Sequence, residues 1–373
     1  MEKLNIGFVR RGFSASGGAE AYLRRLARGV VSAGHRATLF TNAQWPAEMW
    51  PAGEIERLAP TEPVEFADAL AAMRPRQYCD VLVSLERVWS CDIFRAGDGV
   101  HRAWLTRRVA FESRWQQIAR RWQSKHAAIL RLEKALLSDG GARHVIANSA
   151  MVRDEIVAEY GYTAISVVPN GVRVSDFGPA PMKHEVARNQ LALAPGQVAV
   201  LFLGSGWGRK GLRYAIDALE AVNDPRLQLL VVGRGPARKF KSRFVRFLGE
   251  ANDVRPFLAA ADIFILPTIY DPFSNACLEA MAAGLPVITT SSNGFSEIMT
   301  DRVHGSVVDR ADNVSALADA LWYWSDGGRR ENAQQTILER ATQFDISRSV
   351  TQTLDLIVQA ALADATSGKM LKT

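Results

Sequence analysis

Twice along this chain short apolar runs alternate with helix-patterned stretches, and the alternation restarts after Val168-Pro169-Asn170-Gly171. In the first series Leu4–Val9 reads as a strand, Arg10–Gly18 as a turn and residues 19–33 as a helix that Gly34 stops. Ala37–Thr41, Asp80–Leu85 and His144–Asn148 are further apolar runs. The second series predicts strands at Val198–Leu203, Leu227–Val232, Phe244–Leu248, Asp262–Leu266 and Pro286–Thr290. Its helices fall at Leu212–Val222, Val254–Ala261 and Ser274–Ala283. Strands separated by helices are expected to pair in parallel, as βαβ units. The fold class expected is therefore α/β, with two doubly wound domains and a ligand in the cleft between them, outside the carboxyl ends of the strands.

At 373 residues the chain is too long for one ordinary core. Hydrophobic residues at 48%, charged residues at 23% and a mean hydropathy of −0.05 exclude a disordered chain. No apolar run reaches the roughly 18 residues of a membrane span, and MEKLNIGFVRRG is too short in apolar residues for a secretory signal. Cys79, Cys91 and Cys277 give neither a disulfide framework nor a C-x-x-C pair. A cytoplasmic protein is expected.

The formal charge is +6, but residues 101–137 alone hold nine basic residues against Glu112 and Glu133. The rest of the chain is therefore close to neutral, which is not the coat of a general nucleic-acid binder. The basic segment carries Trp104, Phe111, Trp115 and Trp122, and Phe111, Trp115, Ile118 and Trp122 fall on one helical face. Lacking Gly and Pro from 102 to 137, it reads as one long helix or a helical hairpin. Its mixture of cation and aromatic suits an anionic membrane surface; the alternative is a stripe packed on the core with solvated arginines.

Four clusters carry chemistry. Gly17 and Gly18 open a helix after the first strand, where backbone N–H groups favour an anion. In Gly204-Ser205-Gly206-Trp207-Gly208-Arg209-Lys210-Gly211 a flexible backbone meets two adjacent cations, a pairing suited to a diphosphate, with Lys210 expected to face the ligand and contribute little to folding. The spacing matches neither a Walker loop nor a dinucleotide turn. In Asp271-Pro272-Phe273-Ser274-Asn275-Ala276-Cys277-Leu278-Glu279, Ser274 reads as a helix cap. Glu279 is a lone carboxylate on an apolar helix, for which a ribose diol or neighbouring backbone would supply donors. Arg95-Ala96-Gly97-Asp98-Gly99-Val100-His101-Arg102 is polar, with little helix or strand character.

Together these clusters resemble the GT-B retaining glycosyltransferases of family 4. Val168-Pro169-Asn170-Gly171-Val172, the Gly204–Gly211 loop, Val231-Val232-Gly233-Arg234-Gly235 and Ala261–Thr290 carry the likeness in the second half. Gly17-Gly18-Ala19-Glu20 and Asn148-Ser149 carry it in the first. Within the family, Arg95–Leu105 is most similar to lipopolysaccharide-core glucosyltransferases acting on heptose. The resemblance implies two Rossmann-like domains, an acceptor-side domain over 1–169 and a nucleotide-sugar domain over 170–350, with a helix over 351–373 crossing back to the first.

It also implies roles. Arg209 and Lys210 would hold the donor diphosphate and stabilise the charge on the leaving nucleotide. Gly17, Gly18, Gly204 and Ser205 would line the phosphates, and Glu279 would bind the ribose. Gly233, Arg234 and Leu248 would border the base, and Phe273, Ser274 and Asn275 would offer backbone N–H groups. Asp98 and His101 would sit at the acceptor or sugar side. Asp271 would be a catalytic residue near the transferred sugar, standing where the family carries a Glu and one methylene shorter. The implied chemistry is same-face attack, with the donor β-phosphate taking the incoming hydroxyl's proton. No metal or other cofactor is expected; no Asp-x-Asp occurs. The implied donor is UDP-glucose, the acceptor a lipid-linked saccharide, and the location the inner face of the cytoplasmic membrane. A non-catalytic nucleotide- or saccharide-binding protein on the same scaffold stays open as the alternative.

Overall fold

The computed structural model describes residues 3–14, 18–46, 48–50, 52–112, 124–178 and 181–370. The chain divides into two compact units, one of residues 1–169 with 347–373 and one of residues 170–346. Each is an α/β unit around a fully parallel sheet.

In the first unit β1 (Asn5–Val9), β2 (Arg36–Thr41), β3 (Gly53–Arg57), β4 (Val81–Ser84), β5 (Cys91–Ala96), β6 (Ala142–Ala147) and β7 (Ile165–Val167) lie in the order β3-β2-β1-β4-β5-β6-β7. In the second, β8 (Val198–Leu203), β9 (Leu227–Val232), β10 (Val245–Gly249), β11 (Ile263–Leu266), β12 (Val287–Thr290) and β13 (Gly305–Val308) lie in the order β10-β9-β8-β11-β12-β13. Both sheets grow outward one way from their first strand and then reverse, so β1/β4 and β8/β11 are the reversal points. In such sheets a crevice opens there at the carboxyl ends of the strands.

The described helices are α1 (Gly18–Ser32), α2 (Pro63–Met73), α3 (His101–Val109), α4 (Ser124–Leu137), α5 (Ala150–Tyr160), α6 (Pro181–Gln190), α7 (Trp207–Lys210), α8 (Leu212–Val222), α9 (Arg255–Ala260), α10 (Asn275–Ala282), α11 (Val314–Trp324), α12 (Gly327–Thr342) and α13 (Ile346–Met370). Their faces follow from spacing. α8 buries Leu212, Ala215, Ile216 and Leu219 on one stripe, and Asn223 in the left-handed region stops it. α10 is capped by Ser274 Oγ, which accepts from Cys277 N, and it buries Cys277, Leu278 and Met281. α13 belongs to the first unit, where the Tyr22 hydroxyl meets Thr353 Oγ1 at 2.8 Å. Among the described residues no helix is long and apolar enough to cross a membrane.

One expectation needs correction. The Arg95–Arg102 stretch is not an isolated polar turn: Arg95 is a buried residue of β5 lying 4.2 Å from the Tyr22 ring centroid, and His101 opens α3. Of the two readings of the 102–137 stretch, the described residues hold two helices, α3 ending at Val109 and α4 beginning at Ser124, as in the hairpin and not the single long helix. Only Ala103 of α3 is buried. Residues 113–123, including Arg114, Trp115, Ile118, Arg120, Arg121 and Trp122, lie outside the described residues, as does Gly17.

One glycine sets the geometry of the second reversal point. Gly211, between α7 and α8, has φ +77°, and a Cβ there would stand 1.8 Å from Pro267 O. The absence of a side chain lets residues 209–211 lie against the segment after β11. Gly211→Ala is expected to cost about 3 kcal/mol, the scale of a strained backbone with a backbone clash. Gly208→Ala, with open space and helical backbone, should be neutral or slightly stabilising. Calorimetric scans of the second unit's transition check this; equal midpoints for both variants would contradict it.

Candidate functional site

The reversal point of the second unit joins two loops 61 residues apart in sequence. After β8 the chain passes Gly204 (φ +135°) and turns into α7, anchored by Trp207. The Trp207 ring is 4% exposed, stacks on Phe247 at 5.3 Å and donates from Nε1 to Gly204 O at 2.9 Å. Trp207 is thus the loop's packing anchor, which leaves Arg209 and Lys210 on the short helix to reach the segment after β11. Ile269 N donates to Arg209 O at 2.8 Å, and the Thr268 hydroxyl, 2.9 Å from the same carbonyl, also lies 3.1 Å from Tyr270 O.

At the centre Lys210 Nζ lies 2.5 Å from Asp271 Oδ2, and Arg209 Nη1 lies 3.6 Å from the same oxygen while donating to Tyr270 O at 2.7 Å. Asp271 is buried. Burial alone would raise its carboxyl, but Lys210, then Arg209, with a bond from Phe273 N–H, hold it below its ordinary value. Lys210 is therefore a fold-holding residue as well as a candidate ligand residue, contrary to the sequence expectation. Two of the three N–H groups expected to face a ligand also bond inside the unit: Phe273 N–H serves Asp271, and Ser274 N donates to Asn293 Oδ1 at 3.2 Å. Asn275 accepts from Asn170 at 2.9 Å through its side chain.

The remaining expected residues surround this centre. Arg234 N donates to Ser205 Oγ at 3.2 Å, tying the turn after β9 to the Gly204 loop. Gly233 (φ +128°) permits that approach, since a Cβ there would stand 2.3 Å from Gly204 O. The Arg234 guanidinium, largely exposed, pairs with Glu250 at 2.9 Å beside Leu248 on β10. Glu279 is half-buried on α10.

The first unit's reversal point holds a charged cluster that the sequence reading missed. Arg10, directly after β1, lies 2.7 Å from Glu86 Oε1 and 3.1 Å from Glu20 Oε1. Burial pushes the Glu86 carboxyl above its ordinary range; Arg10 opposes this and Asp98 reinforces it. Asp98, exposed after β5, acts electrostatically on Arg10, Glu86 and Arg87. Next to it, Glu133 accepts from Arg87 Nε at 2.8 Å, Tyr160 Oη at 2.7 Å, and the first two N–H groups of α3, His101 at 2.8 Å and Arg102 at 3.1 Å. Glu133 is α3's cap. His101 does not stand alone on a ligand side: its Nε2 lies 3.0 Å from His126 Nδ1, and burial, then Arg87, push it down to about 4. The available signal was a charged residue within two positions of the end of each central strand, Arg10 after β1 and Glu86 after β4.

Gly18 opens α1 and is exposed. In the basic segment, Arg102, Arg107 and Arg108 face Glu159, Glu155 and Glu112, and Lys134 faces Asp139. Much of its described charge is thus matched within the unit.

Against known families, residues 197–325 match the model "Glycosyl transferases group 1" and residues 92–176 match "Glycosyltransferase Family 4", together more than half of the chain. The chain belongs to the family 4 glycosyltransferases. It is 36% identical over 190 residues to a phosphatidyl-myo-inositol mannosyltransferase of Mycobacterium leprae, covering 47% of this chain and 48% of that protein. The chain spans about half the length of the curated relatives it matches. Among solved structures, WaaG, a glycosyltransferase involved in lipopolysaccharide biosynthesis, superposes with a TM-score of 0.78 at 20% identity over 94% of this chain and 99% of its own. Anabaena HepE in complex with UDP and glucose gives 0.74 at 18% identity, over 95% and 99%. The fold is GT-B.

The Lys210–Asp271 pair yields a stability prediction. Asp271's folded value is below its ordinary 3.8, so its contribution is present above that value and lost as pH falls through the folded one. Asp271→Asn should lower the second unit's midpoint at neutral pH, with the gap to the parent narrowing below about pH 4. Lys210→Ala should cost about 3 kcal/mol at neutral pH by leaving a buried carboxylate with one cation. Thermal scans from neutral to acid pH check both; a gap that widens in acid would refute the assignment.

Proposed function

We propose that this chain is a retaining glycosyltransferase that moves glucose from UDP-glucose to a lipopolysaccharide-core or related lipid-linked saccharide. The observation that carries the reading is the Arg209–Lys210–Asp271 cluster at the carboxyl ends of β8 and β11. Two cations against one carboxylate leave a net positive charge at a reversal point. Arg209, whose side chain is 37% exposed, keeps Nε and Nη2 outside the bonds that Nη1 makes. A diphosphate fits that fork and the ammonium beside it.

In this reading Arg209 and Lys210 bind the donor diphosphate and stabilise the charge that grows as the glycosidic C–O bond breaks. Asp271 holds both cations in position before substrate arrives, so little reorganisation is needed during the reaction. Glu279 receives the ribose hydroxyls, and the Ser205–Arg234 contact orders the loops near the base. The acceptor hydroxyl attacks the anomeric carbon on the face the nucleotide leaves, and its proton passes to a donor phosphate oxygen. In the first unit Asp98, Glu86 and Glu20 offer carboxylate oxygens for acceptor hydroxyls. The HepE complex with UDP and glucose supports the donor class, and the mannosyltransferase and WaaG likenesses support a lipid-linked acceptor.

Arg209→Ala should lower turnover at saturating donor by about a hundredfold, the scale of losing one preorganised donor. It is a cleaner test than Lys210→Ala, because it leaves Asp271 paired. Turnover within about threefold of the parent would sink the assignment. Glu279→Gln should weaken UDP binding about tenfold by calorimetry, through loss of a charge-assisted bond.

We also propose that residues 101–137 bring the enzyme to an anionic membrane. The described arginines there are largely paired, so the reading rests on Arg114, Arg120, Arg121 and Lys125, each contributing on the order of 1 kcal/mol near an anionic surface. Changing these four to Gln should abolish most sedimentation with vesicles containing phosphatidylglycerol. Equal sedimentation of parent and variant would count against it.

A further inference from the structure

The first unit contains a basic pocket at the amino-terminal ends of β4, β5 and β6, away from the residues of the proposed transfer reaction. It has a volume of about 430 Å³, the size range of small-molecule sites. One wall is apolar, built from Leu70, Leu82, Val88 and the side of Trp89. The indole is held in place: Nε1 donates to Asp68 Oδ1 at 2.6 Å, and Arg131 lies 4.8 Å from its ring centroid. The other wall carries three arginines, Arg74, Arg76 and Arg143.

A single buried carboxylate lies among them. Asp92 is 6% exposed; its Oδ2 accepts from Leu82 N at 2.7 Å, and its Oδ1 lies 3.0 Å from Arg76 and 3.5 Å from Arg143. Asp92 orients two of the arginines and neutralises one charge. Three cations against one anion leave the pocket wall at +2.

Arg74 is the informative residue. It caps α2 in the left-handed region, φ 54° and ψ 65°, a position where Gly or Asn is favoured and Arg is strained. Arg74 lines the pocket, and among the described residues none bonds its guanidinium. Its side chain is exposed beside the pocket and available to an anion there.

We infer that this pocket binds a small phosphomonoester with a carbon ring, such as a sugar phosphate. A phosphomonoester carries a charge of about −1.5 to −2 at neutral pH, matching the +2 wall. Guanidinium forks recognise its planar oxygen pairs, and the apolar wall with Trp89 takes the face of the ring. The site lies at the opposite end of the strands from Arg10 and Glu86, so its occupant does not compete with reacting substrates.

The test is calorimetric titration of the full chain with glucose 6-phosphate, inorganic phosphate and glucose, each with and without saturating UDP. Glucose 6-phosphate should bind with a sub-millimolar constant, inorganic phosphate about tenfold more weakly, and glucose undetectably. UDP should leave these constants unchanged. Arg74→Gly relieves the left-handed strain, so its thermal midpoint should stay level or rise while glucose 6-phosphate affinity falls at least about tenfold. Arg143→Gln should weaken binding similarly. The inference is overturned if neither anion binds at about 10 mM, if UDP displaces glucose 6-phosphate, or if both variants bind like the parent.

Discussion

The second unit's chemistry depends on one buried ion pair, Lys210 with Asp271. Taking both charges out of water costs several kcal/mol, and a well-packed apolar pair could be as stable. Its value is geometric. It fixes the loop after β8 against the loop after β11, beside the close approach that Gly211 allows at Pro267. Thr268 and the Ile269 N–H hold Arg209's carbonyl while Tyr270 O holds its guanidinium. The cations are positioned from both backbone and side chain before any ligand arrives, which is the condition under which a charge is worth most to a developing anion.

The first unit uses the same architecture with the opposite balance. At its reversal point Arg10 and Arg11 face Glu20, Glu86 and Asp98, leaving the cluster one unit negative. Carboxylates in excess suit hydroxyl groups, as cations in excess suit phosphate. Glu133 shows how such a cluster is kept rigid: a single buried carboxylate takes up two backbone donors of α3, a tyrosine hydroxyl and Arg87. These bonds hold Glu133 below the ordinary carboxylate range despite burial.

Much of the second unit was legible in the sequence because its strands are buried on both faces and read as unbroken apolar runs. β8, α8 and β9 fall on the predicted bounds. β5 was missed for a physical reason. Only Leu85–Ser90 separates it from β4, too short for a crossover helix, yet β4 is four residues long and an extended return suffices. Arg95 inside β5 disguised it further, since a buried arginine is uncommon without a partner such as Tyr22. At the site, Arg209, Lys210 and Asp271 were each visible as residue types at strand ends. Their mutual contact was not, because it spans 61 residues and depends on β11 pairing with β8. The bonding of Phe273 and Ser274 N–H groups inside the unit is likewise tertiary.

Lys210 is a structural partner of Asp271 and, in the proposed function, also a ligand for the donor. The chemistry of the two cations allows both. An ammonium has three donors, and contact with Asp271 Oδ2 occupies one of them. A guanidinium has five, and Arg209 uses one nitrogen for both Tyr270 O and Asp271. The contacts to Asp271 and Tyr270 therefore take up only part of each cation's donor capacity. An aspartate suits this anchoring better than a longer side chain, because its oxygens stay near the backbone, where Phe273 N–H also binds them. At this chain length the carboxylate stays within reach of both cations and of the Phe273 N–H, and so works as the cations' anchor.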